Sequence, residues 1–173
     1  MRKLVAVVLA CAGLGYGALE HGACAQDAVA AAQAALVDAL GQAPMSLPVV
    51  VFVTEQASGY GMYRLRGDNR FRPGEPMHVY VEPLAFKAKA DGAEWSFGVT
   101  VDFAVLSKAG DTLVTREKFL DAGFHSHRRN TELMFNATVS LESAPPGDYQ
   151  LELTVHDKAS ADIARARLPF TVE

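Results

Sequence analysis

The chain has 173 residues, 20 acidic and 16 basic side chains and a net charge of −4 with histidine neutral. That mild acidity excludes a nucleic-acid binder built on a basic face, and the length suits one domain with a sizeable core. Both cysteines, Cys11 and Cys24, fall within the first 25 residues, so the remainder can form no disulfide, thiolate metal site or cysteine nucleophile.

The opening MRKLVAVVLACAGLGYGALEHGACAQ has a positive start at Arg2 and Lys3, an apolar run from Leu4 to Leu14, and the small-x-small triplet Ala23-Cys24-Ala25 before Gln26. This is the pattern of a secretory signal peptide over residues 1–25. The apolar run falls short of the ~20 residues that span a bilayer, and no later stretch is apolar enough to cross one. Val8-Leu9-Ala10-Cys11 roughly matches a lipid-attachment motif, but it leaves a short apolar region ahead of the cysteine. Removing Arg2, Lys3 and Glu20 leaves 14 basic and 19 acidic side chains, a net of −5 on a mature chain of about 148 residues. The expected location is periplasmic or secreted.

Asp27–Leu40 (DAVAAAQAALVDAL) predicts a short helix, capped by Asp27 and filled with alanine, with Val29, Gln33, Leu36 and Leu40 near one face. Gly41 and Pro44 stop it, and GQAPMSLP is a linker. Residues 26–48 therefore precede a domain over 49–173. From Val49 the period becomes two. Val49–Thr54, Tyr60–Leu65, Met77–Lys87 and Thr112–Phe119 are the weaker strand candidates.

The clearest strand alternates Trp95, Phe97, Val99, Val101, Phe103 and Val105 against small and polar residues, a pattern that a helix would scatter around its axis. Leu133–Leu141 and Tyr149–Val155 repeat it on odd positions. Ala164, Ala166, Leu168, Phe170 and Val172 carry it on even ones, with Arg165 and Arg167 outward. Turn signals such as Arg72-Pro73-Gly74, Ala109-Gly110-Asp111 and Pro145-Pro146-Gly147 separate the strands. The class is all-β: an antiparallel β-sandwich of seven to eight strands preceded by a short helix. Trp95, Phe97, Val101, Phe103, Phe135, Val139, Tyr149, Leu151, Leu153 and Phe170 are expected to share its core.

The stretch SAPPGDYQLELTVHDKASADIARARLPFTVE resembles the closing hairpin of bacterial immunoglobulin-like domains through Pro145, Pro146, Gly147, Tyr149, Asp157, Leu168, Pro169, Phe170 and Val172. The resemblance implies a tyrosine corner at Tyr149, whose hydroxyl bonds back to the backbone, and a core tryptophan at Trp95. GYGMYRLRGDNRFRPGEPMHVYVEPLAF and APPGDYQLELTVHDKASA are similar to a group of secreted proteobacterial proteins, a likeness that carries no activity.

For chemistry, His125 and His127 stand two apart, a spacing that aims two imidazoles from one face of an extended chain at a single copper or zinc ion. In immunoglobulin strand order, His156 and Asp157 are the partners at the same end, on the facing sheet roughly 10 Å away. Arg128 and Arg129 oppose a cation there. Metal site, anion contact and solvated turn all stay open, with the solvated turn the reading we adopt and no metal or cofactor expected. Arg128 and Arg129 suit bidentate contact with a carboxylate or phosphate. Tyr60 and Tyr63, set among Gly59 and Gly61, suit a platform for a peptide or sugar. Arg66-Gly67-Asp68 is a plain turn.

No G-x-S-x-G elbow and no H-E-x-x-H helix occurs, and Glu82, Asp102 and Asp157 are scattered over different strands. The expectation is an exported, non-enzymatic module that binds an envelope or periplasmic protein through loops or a sheet edge. The alternative is a small-ligand or metal-ion carrier using the His125/His127 end.

Overall fold

The computed structural model describes residues 17–173. The charged start and apolar run of the expected leader, with Cys11, lie outside the described residues. Helix α1 runs Gly17–Gln42, longer at both ends than Asp27–Leu40. Asp27 sits inside it and is no cap: Ala23 and Ala25 keep propensity high ahead of it, and an existing turn extends more readily than a new one nucleates. Gly41 is also helical, and the helix ends before Pro44, which has no N–H to continue it. No helix among the described residues is long and apolar enough to cross a membrane.

The chain divides into two compact units between Leu36 and Val37. Within the second unit, Lys87 Nζ donates to Leu40 O (3.0 Å), to Ala85 O (3.1 Å) and to Ala43 O. A cation thus sits where the last helical carbonyls need donors.

Nine strands follow: β1 (Ser46–Val53), β2 (Arg70–Phe71), β3 (Met77–Leu84), β4 (Ala88–Asp91), β5 (Glu94–Ser107), β6 (Thr112–Ser126), β7 (Phe135–Val139), β8 (Gly147–Asp157) and β9 (Ile163–Val172). The two shortest, β2 and β4, were not legible as strands in the sequence. One sheet has the order β1-β3-β7 and the other the order β2-β9-β8-β5-β4, with β6 also paired to β5. All ladders are antiparallel except β2 with β9. The order β1-β3-β7 against β9-β8-β5-β6 is that of an immunoglobulin-like sandwich.

The core is the set of inward positions that the alternation marks. Val79 and Val81 of β3, Val99 and Val101 of β5, and Leu151, Leu153 and Val155 of β8 are wholly buried. Phe97, Phe103, Phe135, Val139 and Phe170 join them. Tyr149 packs at the core's margin, its ring stacked on Phe170 at 5.5 Å. Its hydroxyl donates to Pro145 O at 2.7 Å, which is the tyrosine corner.

Trp95 departs from expectation and is only half-buried. Strand β8 covers β5 from Val99 to Ser107, whereas Trp95 pairs with Ala90 of β4 and Ser126 of β6, beyond the reach of the central ladder. Its ring lies 5.7 Å from the Arg129 guanidinium. Gly98 is fixed by closeness: a Cβ there would stand 2.1 Å from Ala122 O of β6, so only glycine admits the neighbouring strand.

Phe103 is 8% exposed, with Phe119 edge-on at 5.0 Å. Phe103→Ala is expected to lower unfolding free energy by about 3–5 kcal/mol, read from the urea midpoint. A loss under about 1 kcal/mol would contradict this packing.

Candidate functional site

The segment between β1 and β2 builds one wall of the site. Tyr60–Leu65, expected as a strand, is a turn held by isolated bridges, Gly59 to Met62 and Val53 to Leu65. Gly61 adopts φ 68° there, a conformation that glycine takes without a Cβ clash. Thr54 N donates to Arg64 O (3.0 Å), and Ala57 exchanges two 2.9 Å hydrogen bonds with the Asn136 side chain of β7. The loop is thereby pinned across the outer face of β3.

That cover explains why β3 is buried on both faces. Tyr80 alternates away from Val79 and Val81, yet its side chain is fully enclosed. Its hydroxyl accepts from Gly61 N at 2.7 Å and donates to Glu82 Oε1 at 2.5 Å, while Tyr63 stacks on its ring at 4.3 Å. Burial, with the Glu82 carboxylate beside it, pushes the Tyr80 hydroxyl up to about 12. Burial also raises Tyr60, helped by the charges of Glu82 and Glu132. Glu82, which looked like a scattered carboxylate, is 9% exposed and central to this cluster. Its available signal was a charge at an alternate position of an otherwise apolar strand.

Tyr60 then faces an open cleft of about 570 Å³. Phe97 and Phe124, stacked at 5.5 Å, and buried Leu133 form its apolar lining. Arg128, Arg129 and Glu132 supply its charged rim. The structure thus brings Tyr60, Arg128 and Arg129 around one cleft, whereas Tyr63 lines a separate hollow with Glu55 and Arg64. Arg66 closes on Asp68 (3.0 Å) and Glu75 (2.8 Å), which makes Arg66-Gly67-Asp68 an internally paired turn.

The histidines are arranged differently from expectation. His125 lies within β6, opposite Ser96, and not in a loop. Its Nδ1 stands 3.9 Å from Asp91 and 4.0 Å from Glu94, and His127 Nδ1 is 3.5 Å from Glu94. His156 and Asp157 belong to β8, in the same sheet as His125 with β5 between them, and not to the facing sheet. His156 Nε2 meets Asp102 Oδ2 at 2.7 Å. The Asp157 oxygens accept from Lys87 N (2.6 Å) and Ala159 N (2.7 Å). Burial alone would raise the Asp102 carboxyl, but the Lys118 amide and His156 outweigh it and hold it below the usual range. Among the described residues, no group of three His, Asp or Glu side chains is placed to hold a metal ion.

No family model matches the chain, and no curated protein matches it. Among solved structures it is similar to a Niemann-Pick type C2 protein from Japanese carpenter ant, at 8% identity and TM-score 0.47, covering 77% of this chain and 96% of that one. It is also similar to the sporulation control protein Spo0M from Bacillus subtilis, at 11% identity and TM-score 0.41, covering 76% and 50%. A third is a CARDB domain from Pyrococcus furiosus in complex with di-metal ions, at 10% identity and TM-score 0.34, covering 78% and 96%.

The tyrosine cluster has a pH signature. Because the folded Tyr80 pKa, about 12, exceeds the ordinary value of 10.0, its contribution is full below pH 10 and is lost as pH rises toward 12. Tyr80→Phe, which strips a donor from Glu82 and an acceptor from Gly61, should cost about 1–3 kcal/mol near neutral pH. Denaturant titrations should show that gap shrinking above pH 10. A gap constant up to pH 12 would contradict the assignment.

Proposed function

We propose that the chain is an exported, non-enzymatic binding module that docks on an envelope or periplasmic protein through the cleft between Tyr60 and Arg128-Arg129. In this reading residues 1–25 are removed as a leader, residues 26–48 form the helix and linker, and residues 49–173 carry the binding surface. The composition of the first 25 residues and the likeness to secreted proteobacterial proteins support export.

One observation carries the reading: an open cleft joins an aromatic floor, Phe97 and Phe124, to two arginines and a tyrosine. Tyrosine and arginine around a desolvatable apolar floor is the composition of an interaction hot spot. The arginine fork adds recognition of carboxylates by paired hydrogen bonds. The fitting partner presents an apolar or aromatic side chain flanked by acidic groups. The other polar clusters support a non-catalytic role, since Asp102 with His156, and Asp157 with the Lys87 and Ala159 amides, are tied in structural pairs on the sheet.

The test uses mature protein recovered from the periplasmic fraction, with Gln26 as its expected first residue, as bait in envelope extract. Wild type should capture a defined protein, and Arg128→Glu with Arg129→Glu should reduce that capture at least tenfold without moving the thermal midpoint. Equal capture by both baits would contradict the cleft. Retention of Arg2 or a lipidated Cys11 would contradict the export route.

A further inference from the structure

Strand β6 is 15 residues long and, among the described strands, pairs with β5 alone. Every residue from Thr112 to Lys118 is exposed. Leu113 and Val114 are 53% and 46% exposed, large values for apolar side chains within a strand. Val114 pairs with Val105, which is buried, so it points to the inner side of the sheet. There it borders a second, mostly apolar cleft of about 590 Å³. The opposite wall is the chain that follows β7, including Leu141, Ala144 and Pro145. This cleft lies at the opposite end of β6 from Phe124 and the arginine-rimmed one.

We propose that Thr112–Arg116 is a docking edge for a short extended segment of a partner protein, which adds to the large sheet as a further strand and sets an apolar side chain into this cleft. An unpaired strand edge offers a row of N–H and C=O groups that another extended chain satisfies in register. The pleat then sends alternate side chains of the added strand inward over the cleft. Edge and slot together specify the occupant: backbone pairing for affinity, and one or two inward apolar residues for selection.

The edge is also bounded. Between Val101 and Phe103 of β5 the register moves from Leu120 to Arg116, with Lys118 at φ 48° and its N–H turned onto Asp102. Such a bulge interrupts pairing, and a second register shift, between Val105 and Leu106 of β5, leaves Leu113 without an opposite residue, so the regular edge is confined to Val114–Arg116. A second copy of the chain fits this poorly. Self-pairing of the regular stretch, Val114–Arg116, gives a ladder of only three residues. So short a ladder buries far less than the ~1,200–2,000 Å² of a standard interface. A flexible segment reaches both the edge and the slot.

A displayed library of random nine-residue peptides, selected on the mature protein, is the probe. Enriched peptides should carry apolar residues at alternate positions. The best of them, synthesised, should slow amide exchange at Thr112–Arg116. Its affinity should fall at least tenfold on backbone N-methylation and at least tenfold against Val114→Asp, with no loss against Arg128→Glu. Circular dichroism and thermal melting of Val114→Asp, and a milder Val114→Thr with an intermediate loss, separate binding from folding. The proposal is overturned by a selection that yields no such peptide, by equal binding of the N-methylated peptide, or by binding that depends on Arg128 and not on Val114. A concentration-dependent dimer that protects the same amides would overturn it in favour of a second copy.

Discussion

A carboxylate enclosed on a sheet face must find donors, and much of the wall beside the Tyr60 cleft follows from how Glu82 does so. Left unpaired at 9% exposure, such a charge costs several kcal/mol. Tyr80 supplies one hydroxyl, and that hydroxyl in turn accepts from the Gly61 backbone. Glycine adopts without strain the φ of 68° at which its N–H meets this hydroxyl. The loop after β1 is therefore tied to β3 by a chain of polar contacts as well as by the stack of Tyr63 on Tyr80. Tyr60 comes to the cleft because the same turn carries it there.

The second constraint is the inequality of the two sheets. Strand β5 is paired along one edge by β4 and β8 and along the other by β6, whereas the opposite sheet stops at the five-residue β7. Beneath β6 the sandwich is closed in the middle, where Phe119 meets Phe103 edge-on. It stays open toward both ends, where Phe124 lines one cleft and Leu113 and Val114 line the other. The exposed apolar side chains of β6, Leu113, Val114 and Phe124, lie at these two openings. On that ground we propose the β6 side of the sandwich as the binding side.

Strong alternation was legible because burial on one face leaves a period of two in the residues themselves. The inward positions of β5, β8 and β9, and the tyrosine corner at Tyr149, needed no structure to find. Trp95 has the right parity but lies past the end of the covering ladder, and where a neighbouring strand stops is a tertiary fact. The alternation that marks Thr112–Phe119 as a strand candidate stops short of His125, which therefore reads as part of a turn. Backbone pairing with Val99 and Gly98 nonetheless carries β6 through to Ser126. Tyr60–Leu65 holds the aromatic and aliphatic residues that favour strands, but Gly61, at φ 68°, turns the chain there. Tyr60, Arg128 and Arg129 were each visible as candidates; that they surround one cleft, and that Glu82 anchors its wall, depends on contacts distant in sequence.

The account stands most directly on the Tyr80–Glu82 anchor, and residue-resolved amide hydrogen exchange of wild type and Tyr80→Phe tests it. Exchange at Ala57 and Gly61 should rise at least tenfold in the variant, while Val101 and Leu153 keep their protection, because the loop opens locally and the two sheets stay packed. Unchanged exchange at Gly61, or a uniform loss of protection across both sheets, would contradict the claim that this pair holds the wall of the Tyr60 cleft in place.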